Sequence, residues 1–206
     1  YERDGFSASR EEMVSRQIEA RGVTDPDVLK AMKTVPRHLF VPVKYQKNAY
    51  GDYPLPIGQD QTISQPYIVA FMTVALHLKP KDRILEIGTG SGYQAAVLAE
   101  LDCEVYSIEI IGSLGERAKE TLGRLGYGNI HLKIGDGHKG WPEKAPFDAI
   151  IVTCAPEKIP RPLVQQLKEG GRMIIPVGES GGIQHLVLAV KKGDRLVPRS
   201  VLPVRF

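Results

Sequence analysis

The segment "LEIGTGSGY" places three alternating glycines, Gly88, Gly90 and Gly92, between an apolar run typical of a strand and a helical pattern. Glycine at such a turn lets the backbone bend tightly and lets a ligand approach main-chain N–H groups. The dinucleotide fingerprint needs glycine at position 93, where the chain has Tyr93, and the Gly-Lys-Ser/Thr of a phosphate-binding loop is absent. A tight turn without a ligand is the alternative, but it does not need three glycines. The turn therefore predicts a small-molecule site that is not built around phosphates.

Carboxylates stand at the ends of three successive predicted strands. Glu86 lies just before the glycine turn, Glu109 closes the second strand, and Asp136 of "GDG" follows the third. Glu109 is at the distance where a carboxylate reaches a ribose diol, and Asp136 could lie over an adenine edge. Singly, Glu109 could be a surface charge and Asp136 a turn residue. Their joint placement favours one site, for a nucleoside without phosphates.

The segment "GQDQTISQP", residues 58–66, places many hydrogen-bonding side chains just ahead of the apolar run "YIVAFMTVALHL". Within it, Ser64 is either a helix N-cap, a position that serine fills well, or a functional donor, and the residues alone leave both open. Ser64 lacks the flanking glycines of a nucleophile elbow, and no Ser–His–Asp signature accompanies it, which argues against a hydrolytic serine.

After this polar segment, short β-rich runs alternate with helical runs, and the last two strands follow each other without a helix between them. That order predicts a Rossmann-like, doubly wound α/β fold with a mostly parallel sheet, helices on both faces and an antiparallel C-terminal edge. Ahead of it, Ser9 and Glu12 have capping-box spacing for a helix that ends at Gly22, and Asp25 begins a second helix. Residues 36–66 have no period and are predicted to be loop.

The composition is that of an ordinary globular protein, with 42% hydrophobic residues, 25% charged residues and a net charge of +3. Because Lys and Arg are spread along the chain, no nucleic-acid partner is expected. The longest apolar stretch is too short to span a bilayer and no signal-peptide pattern is visible, so we expect no membrane partner and a cytoplasmic location. Cys103 and Cys154 are predicted to be buried free thiols, and no metal site is expected.

Four segments, in order, resemble the motifs of class I S-adenosylmethionine-dependent methyltransferases: "LEIGTGSGY", "IE" at 108–109, "GDG" at 135–137 and "KEGGRMIIPVG". Three more, "TISQPYIVA", "GDGHKGWPEKAPFDAIIVTCAP" and the terminal "PVRF", are similar to those of the protein-L-isoaspartate O-methyltransferase family. The resemblance implies a single methyltransferase domain, with N-terminal helices and a substrate loop in 1–80, a cofactor-binding core in 81–180 and C-terminal strands in 181–206.

Members of that family transfer the methyl group of S-adenosylmethionine to the free α-carboxylate of L-isoaspartyl residues in damaged proteins and peptides, and release S-adenosylhomocysteine. The ester then collapses to a succinimide, part of which reopens as normal aspartate. The family's active-site serine corresponds to Ser64. The cofactor contacts that the resemblance implies are Gln61, Thr62, Ser64, Glu86, Gly88, Gly90, Gly92, Glu109, Asp136 and Gly137. The implied substrate contacts are Ile57, Gly58, Ser64 and Val204, and we expect a monomer.

The residue types agree with this chemistry. A carboxyl group with a pKa of about 4 is already ionised at neutral pH, so it attacks a sulfonium methyl group without a general base. The step needs alignment and exclusion of water, and Ser64 with backbone N–H groups can hold one carboxylate oxygen. Asp60 departs from the family, which usually has a small residue there. Its carboxylate would repel an anionic substrate unless it points to solvent.

Two other functions stay open on the residues alone. RNA methyltransferases share the cofactor half, but those that modify exocyclic amines commonly place Asn/Asp-Pro-Pro-aromatic after the fourth strand, where this chain reads "VTCAPEKIP". The modest charge also argues against a phosphate-binding surface. The second is a nucleoside-binding module without catalysis, which Ser64→Ala would leave unchanged.

Overall fold

The computed structural model describes residues 5–179 and 182–204, so Arg205 and Phe206 of the terminal motif lie outside the described residues. The strands are β1 (Leu55–Gly58), β2 (Gln61–Ile63), β3 (Arg83–Ile87), β4 (Glu104–Glu109), β5 (Ile130–Ile134), β6 (Phe147–Val152), β7 (Leu167–Val177), β8 (Gln184–Lys192) and β9 (Arg195–Val204). The α-helices are α1 (Ser7–Glu12), α2 (Pro26–Thr34), α3 (Pro66–Ala75), α4 (Tyr93–Glu100), α5 (Gly112–Arg124) and α6 (Arg161–Gln166).

Seven strands form one sheet in the order β5-β4-β3-β6-β7-β8-β9. The first five of these are mutually parallel, and β8 and β9 extend the sheet as an antiparallel edge. This arrangement confirms the predicted mostly parallel sheet with an antiparallel C-terminal edge. Because β4 and β6 lie on opposite sides of β3, the strand order reverses there, and open α/β sheets bind ligands at the carboxyl ends of such strands.

Helices cover both faces of the sheet, as predicted. Ile84 of β3 packs in a cluster with Met72 of α3 and Leu98 of α4, whereas the next residue, Leu85, packs on the other face with Leu163 of α6. Successive side chains of a strand point to opposite faces, so a strand that is covered on both sides is apolar at most of its positions. Within the described ranges, no helix is long and apolar enough to cross a membrane.

Of the two predicted N-terminal helices, the second has the predicted cap and the first does not. Asp25 caps α2 by accepting hydrogen bonds from two backbone N–H groups of the first turn, at 3.0 and 3.1 Å. The capping box at Ser9 is wrong, because α1 begins at Ser7 and has no side-chain cap. A π-helical segment, Met13–Ile18, follows and leads to a left-handed Gly22. Its i→i+5 spacing puts the buried Met13 and Ile18 on one face.

The predicted loop over residues 36–66 contains ordered structure. Two 3₁₀ turns, Arg37–Phe40 and Val43–Asn48, precede the antiparallel hairpin of β1 and β2, so the prediction of an irregular loop is wrong there. Gln59 and Asp60 form the two-residue hairpin turn, each with φ of +54°. Strands of three or four residues are too short to show an alternation of apolar and polar residues, so the sequence does not indicate β1 and β2.

The two cysteines have different surroundings. Cys103 is buried as predicted, but Cys154 is exposed, so the prediction that both thiols are buried is wrong. Cys154 comes after the C-terminal end of β6, where the chain has left the core and borders a cavity. Among residues 5–179 and 182–204, no three His, Cys, Asp or Glu side chains are grouped to hold a metal ion.

Candidate active site

The glycine turn joins β3 to α4 at the carboxyl edge of the parallel strands. Gly88 has φ of +96°, a left-handed conformation that residues with side chains rarely adopt. The hydroxyl of Thr153, which follows β6, donates to the carbonyl oxygens of Ile87 or Gly88, at 3.0 and 2.6 Å. A Cβ atom on Gly88 would lie 2.5 Å from that hydroxyl oxygen, so the close approach of the two strand ends requires glycine.

Glu109, the last residue of β4, is fixed by the turns on both sides. Its Oε2 accepts a hydrogen bond from the N–H of Gly90 at 2.6 Å, and its Oε1 accepts one from the N–H of Ile111 at 2.9 Å. The residue is only 4% exposed, yet it borders a cavity. Since a carboxylate can accept about four hydrogen bonds, Glu109 keeps acceptor capacity for ligand hydroxyl groups.

A first cavity, of about 270 Å³, lies at the carboxyl ends of β3, β4 and β6. Its lining includes Gln61, Thr62, Ile63, Ser64, Gly88, Gly90, Ile108, Glu109, Ile110, Asp136, Gly137, Thr153 and Cys154. Apolar side chains and a few convergent polar groups are typical of small-molecule sites. The cavity therefore brings together eight of the ten predicted cofactor contacts and leaves out Glu86 and Gly92.

Glu86 lies outside the lining of the first cavity, in the core beside the glycine turn. Its carboxylate is fully buried and accepts a hydrogen bond from the Ser107 hydroxyl, whose oxygen is 2.5 Å from Oγ1 of Thr89 in the turn. Burial raises the pKa of Glu86 to about 8, a rise that the Ser107 hydrogen bond opposes and the charge of Glu109 increases. Glu86 is therefore mostly neutral at pH 7 and adds little repulsion to Glu109.

A second cavity, of about 560 Å³, adjoins the first and shares part of its wall. The residues that line both cavities are Gln61, Thr62, Ser64, Thr153 and Cys154. The rest of the second lining includes Arg21, Pro54, Asp60, Tyr67, Leu202 and Val204. Two adjoining cavities with a polar wall can hold two reactants on opposite sides of that wall.

Ser64 belongs to this shared wall and is half-buried. Helix α3 begins at Pro66 after Gln65 and has no side-chain cap, so the interpretation of Ser64 as an N-cap is wrong. Among the described residues, its hydroxyl has no hydrogen-bonding partner, whereas its carbonyl oxygen accepts from Arg37. The hydroxyl is therefore available to a ligand.

Arg37, which the sequence analysis did not identify, holds the segment around Ser64 in place. Its guanidinium is fully buried and donates to the carbonyl oxygens of Ala49 at 2.7 Å and Ser64 at 2.8 Å. It also lies 4.8 Å from the ring centroid of Tyr93, which lines the first cavity. Burial lowers the pKa of Arg37, and the neighbouring Tyr93 opposes that change. An arginine in a segment without a hydrophobic period gives no sign in the sequence that it is buried.

The family model of protein-L-isoaspartate(D-aspartate) O-methyltransferase matches residues 8–206. The chain belongs to this family. It is therefore an S-adenosylmethionine-dependent methyltransferase that repairs proteins by acting on L-isoaspartyl residues.

Similar members of the protein-L-isoaspartate O-methyltransferase family come from several bacteria. The chain is 57% identical over 197 residues to the enzyme of Opitutus terrae, covering 96% of this chain and 84% of that one. It is 53% identical over 209 residues to the enzyme of a Synechococcus species, covering 98% and 86%. These alignments extend over nearly the whole chain, so the resemblance is not confined to the cofactor half.

Two solved structures in this family have the same fold. A protein-L-isoaspartate O-methyltransferase superposes with a TM-score of 0.87 at 35% identity, covering 96% of this chain and 64% of that chain. A putative protein-L-isoaspartate O-methyltransferase from Plasmodium falciparum, in complex with S-adenosyl-L-homocysteine, superposes with a TM-score of 0.82 at 25% identity, covering 96% of both chains.

The first cavity suits the cofactor of this family. Its polar groups include the fixed carboxylate of Glu109 and that of Asp136, which match the hydroxyl and amino donors of an adenosine moiety. A Cβ atom on Gly137 would collide with Ile87, so glycine keeps the chain close to β3 beside the cavity. The part of its lining that the structure describes contains no lysine or arginine.

Of the four predicted substrate contacts, two line the second cavity. Val204, at the end of β9, lines the second cavity with Ser64. Ile57 is fully buried and its carbonyl oxygen accepts a hydrogen bond from Arg117, while Gly58 begins the hairpin turn. Neither Ile57 nor Gly58 is in the lining of the two cavities, so their contact with substrate stays a prediction.

Proposed function

We propose that the first cavity binds S-adenosylmethionine and the second binds the isoaspartyl residue, with methyl transfer across the wall that they share. The observation that carries this proposal is the position of Ser64, which lines both cavities and has a hydroxyl without an intramolecular partner among the described residues. A residue with that position can contact both reactants at once.

On the donor side, Glu109 would bind the ribose hydroxyls, and Asp136 with Gly137 would lie beside the adenine. Gly88 and Gly90 would present main chain to the rest of the cofactor. When bound, the cofactor supplies a methyl group on positively charged sulfur. The part of this chain is to hold that methyl group still and to exclude water, because alignment alone can account for a large share of the rate.

On the acceptor side, the α-carboxylate of the isoaspartyl residue is the nucleophile. It is ionised at neutral pH because its pKa is about 4, so no side chain has to remove a proton. The Ser64 hydroxyl would donate to one carboxylate oxygen and leave the other directed at the methyl group. The amino end of α3, which begins two residues later, adds partial positive charge near the anion.

Four further residues support this arrangement. Arg37 binds the Ser64 carbonyl oxygen and so fixes the backbone of the shared wall at Ser64. Gln61 and Thr62 form the rest of the wall between cofactor and peptide. Val204 would contact the peptide, so the last strand takes part in substrate binding although it is distant in sequence from the glycine turn.

A crystal structure with S-adenosylhomocysteine and an isoaspartyl peptide tests these assignments. We expect the sulfur atom in the first cavity and the isoaspartyl carboxylate in the second, with one oxygen about 2.7–3.0 Å from Oγ of Ser64. A peptide bound away from the second cavity, or a Ser64 hydroxyl turned away from the carboxylate, would contradict the proposal.

A further inference from the structure

The tip of the hairpin between β1 and β2 places a carboxylate beside the second cavity. Gln59 and Asp60 both have φ of +54°, as in the two-residue turns that normally contain asparagine, aspartate or glycine. Asp60 is exposed and is one of the residues that line the second cavity. The turn itself does not need a charged side chain, since glycine adopts the same conformation more readily, so Asp60 adds a charge that the fold does not require.

The charges around the second cavity do not balance. Among the described residues, its lining includes two charged ones, Arg21 and Asp60. Arg21 is already paired, because its Nη1 lies 2.8 Å from Oδ2 of Asp52 and its guanidinium lies 3.5 Å from the ring centroid of Tyr67. Asp60 has no ion pair among the described residues. Within the described part of the lining, the negative charge of Asp60 is therefore not neutralised, in the cavity where the isoaspartyl residue is proposed to bind.

We propose that Asp60 sets the charge preference of this enzyme for the residues that flank the isoaspartyl residue. Lysine or arginine beside the isoaspartyl residue would be attracted by Asp60, and aspartate or glutamate would be repelled. This inference rests on the proposed location of the peptide in the second cavity. Because Asp60 is exposed, its effect is modest and falls as salt screens the charges.

Peptides that differ only in flanking charge test the inference. Three isoaspartyl peptides would carry lysine, alanine or glutamate on both sides of the isoaspartyl residue, and kcat/KM would be measured for each at low salt. For the natural enzyme we expect the lysine peptide to exceed the glutamate peptide by about three- to tenfold. In Asp60→Asn that ratio should fall below about twofold, since asparagine keeps the size and the left-handed preference but loses the charge.

A matched control separates this local effect from the overall charge of the protein. Asp194→Asn changes net charge by the same amount, but Asp194 lies in the turn before β9, at the opposite end of that strand from Val204. It should keep the ratio of the natural enzyme. Equal kcat/KM for all three peptides, or a ratio that survives in Asp60→Asn, would overturn the inference. If no isoaspartyl peptide were methylated at all, the proposed function itself would fail.

Discussion

Replacing Glu109 by alanine is expected to weaken the binding of S-adenosylmethionine about 30- to 100-fold. The carboxylate of Glu109 binds the N–H groups of Gly90 and Ile111, which belong to the turns on either side of the first cavity. It would also bind the ribose hydroxyls. Hydrogen bonds to a charged group contribute about 1.5–3 kcal/mol, so the loss of the ribose contacts and of the turn geometry gives this range. Titration calorimetry with S-adenosylhomocysteine measures the change.

Glu104→Ala is the matched control for that experiment. Glu104 begins the same strand that Glu109 ends, and its carboxylate binds the Tyr106 hydroxyl at 2.7 Å, away from the cavity. The control variant should bind the cofactor as the natural protein does, and urea unfolding should establish that both variants fold. If Glu109→Ala bound S-adenosylhomocysteine within threefold of the natural protein, Glu109 would not be a cofactor-binding residue.

Ser64→Ala should lower kcat for an isoaspartyl peptide about 10- to 100-fold, while the dissociation constant for the cofactor changes less than about threefold. The hydroxyl would bind the carboxylate in the orientation for attack, and loss of one such preorganised donor typically costs about that factor or more. Cofactor affinity is maintained because Glu109 and the glycine turn hold the cofactor independently. Single-turnover rates and calorimetry on the same preparation separate the two quantities.

Ser64→Thr provides the comparison, because it keeps a hydroxyl at the same position and should recover part of the lost rate. A purely structural serine would behave differently, since the alanine variant would then lose cofactor affinity and thermal stability together with turnover. That result would mean that Ser64 supports the structure and that another residue of the shared wall orients the carboxylate.

The parallel core could be predicted from the sequence because its local signals and its tertiary contacts agree. Strands β3 and β5 read "RILEI" and "IHLKI", short β-rich runs between turn residues that alternate with helices, which is the pattern that predicts strands of an α/β sheet. The glycine turn and Glu109 were identifiable for the same reason. Their chemistry depends on being next to strand ends, and the glycines and carboxylates that follow these apolar runs mark those ends in the sequence.

The N-terminal third was harder to predict because tertiary packing decides its structure. The spacing of Ser9 and Glu12 fits a capping box, but the helix begins earlier, at Ser7. It is followed by a π-helical segment in which Met13 and Ile18 are buried. The wall residue Ser64 resembled a helix cap, whereas the cap position falls on Gln65. One residue of register decides between those two roles, which is within the error of any boundary read from sequence.

Buried polar groups were the other source of error. Arg37 sits in a segment with no period, so nothing in the sequence indicated that its guanidinium is buried against two carbonyl oxygens. Glu86 precedes the glycine turn as a cofactor contact would, yet the alternation of β3 directs its side chain into the core beside Ser107. Such placements depend on which face of a strand meets a helix, and a pattern of residue types does not specify it.

The central claim, that this site methylates isoaspartyl carboxylates, is tested most directly by methyl transfer from labelled S-adenosylmethionine to a matched pair of peptides. The two peptides would be identical except that one contains an isoaspartyl linkage and the other a normal aspartyl linkage, and a structured RNA would serve as a third acceptor. We expect label on the isoaspartyl peptide at least about 100-fold faster than on the other two, a difference of about 2.7 kcal/mol in transition-state stabilisation. Equal labelling of both peptides, or labelling of the RNA alone, would contradict the claim.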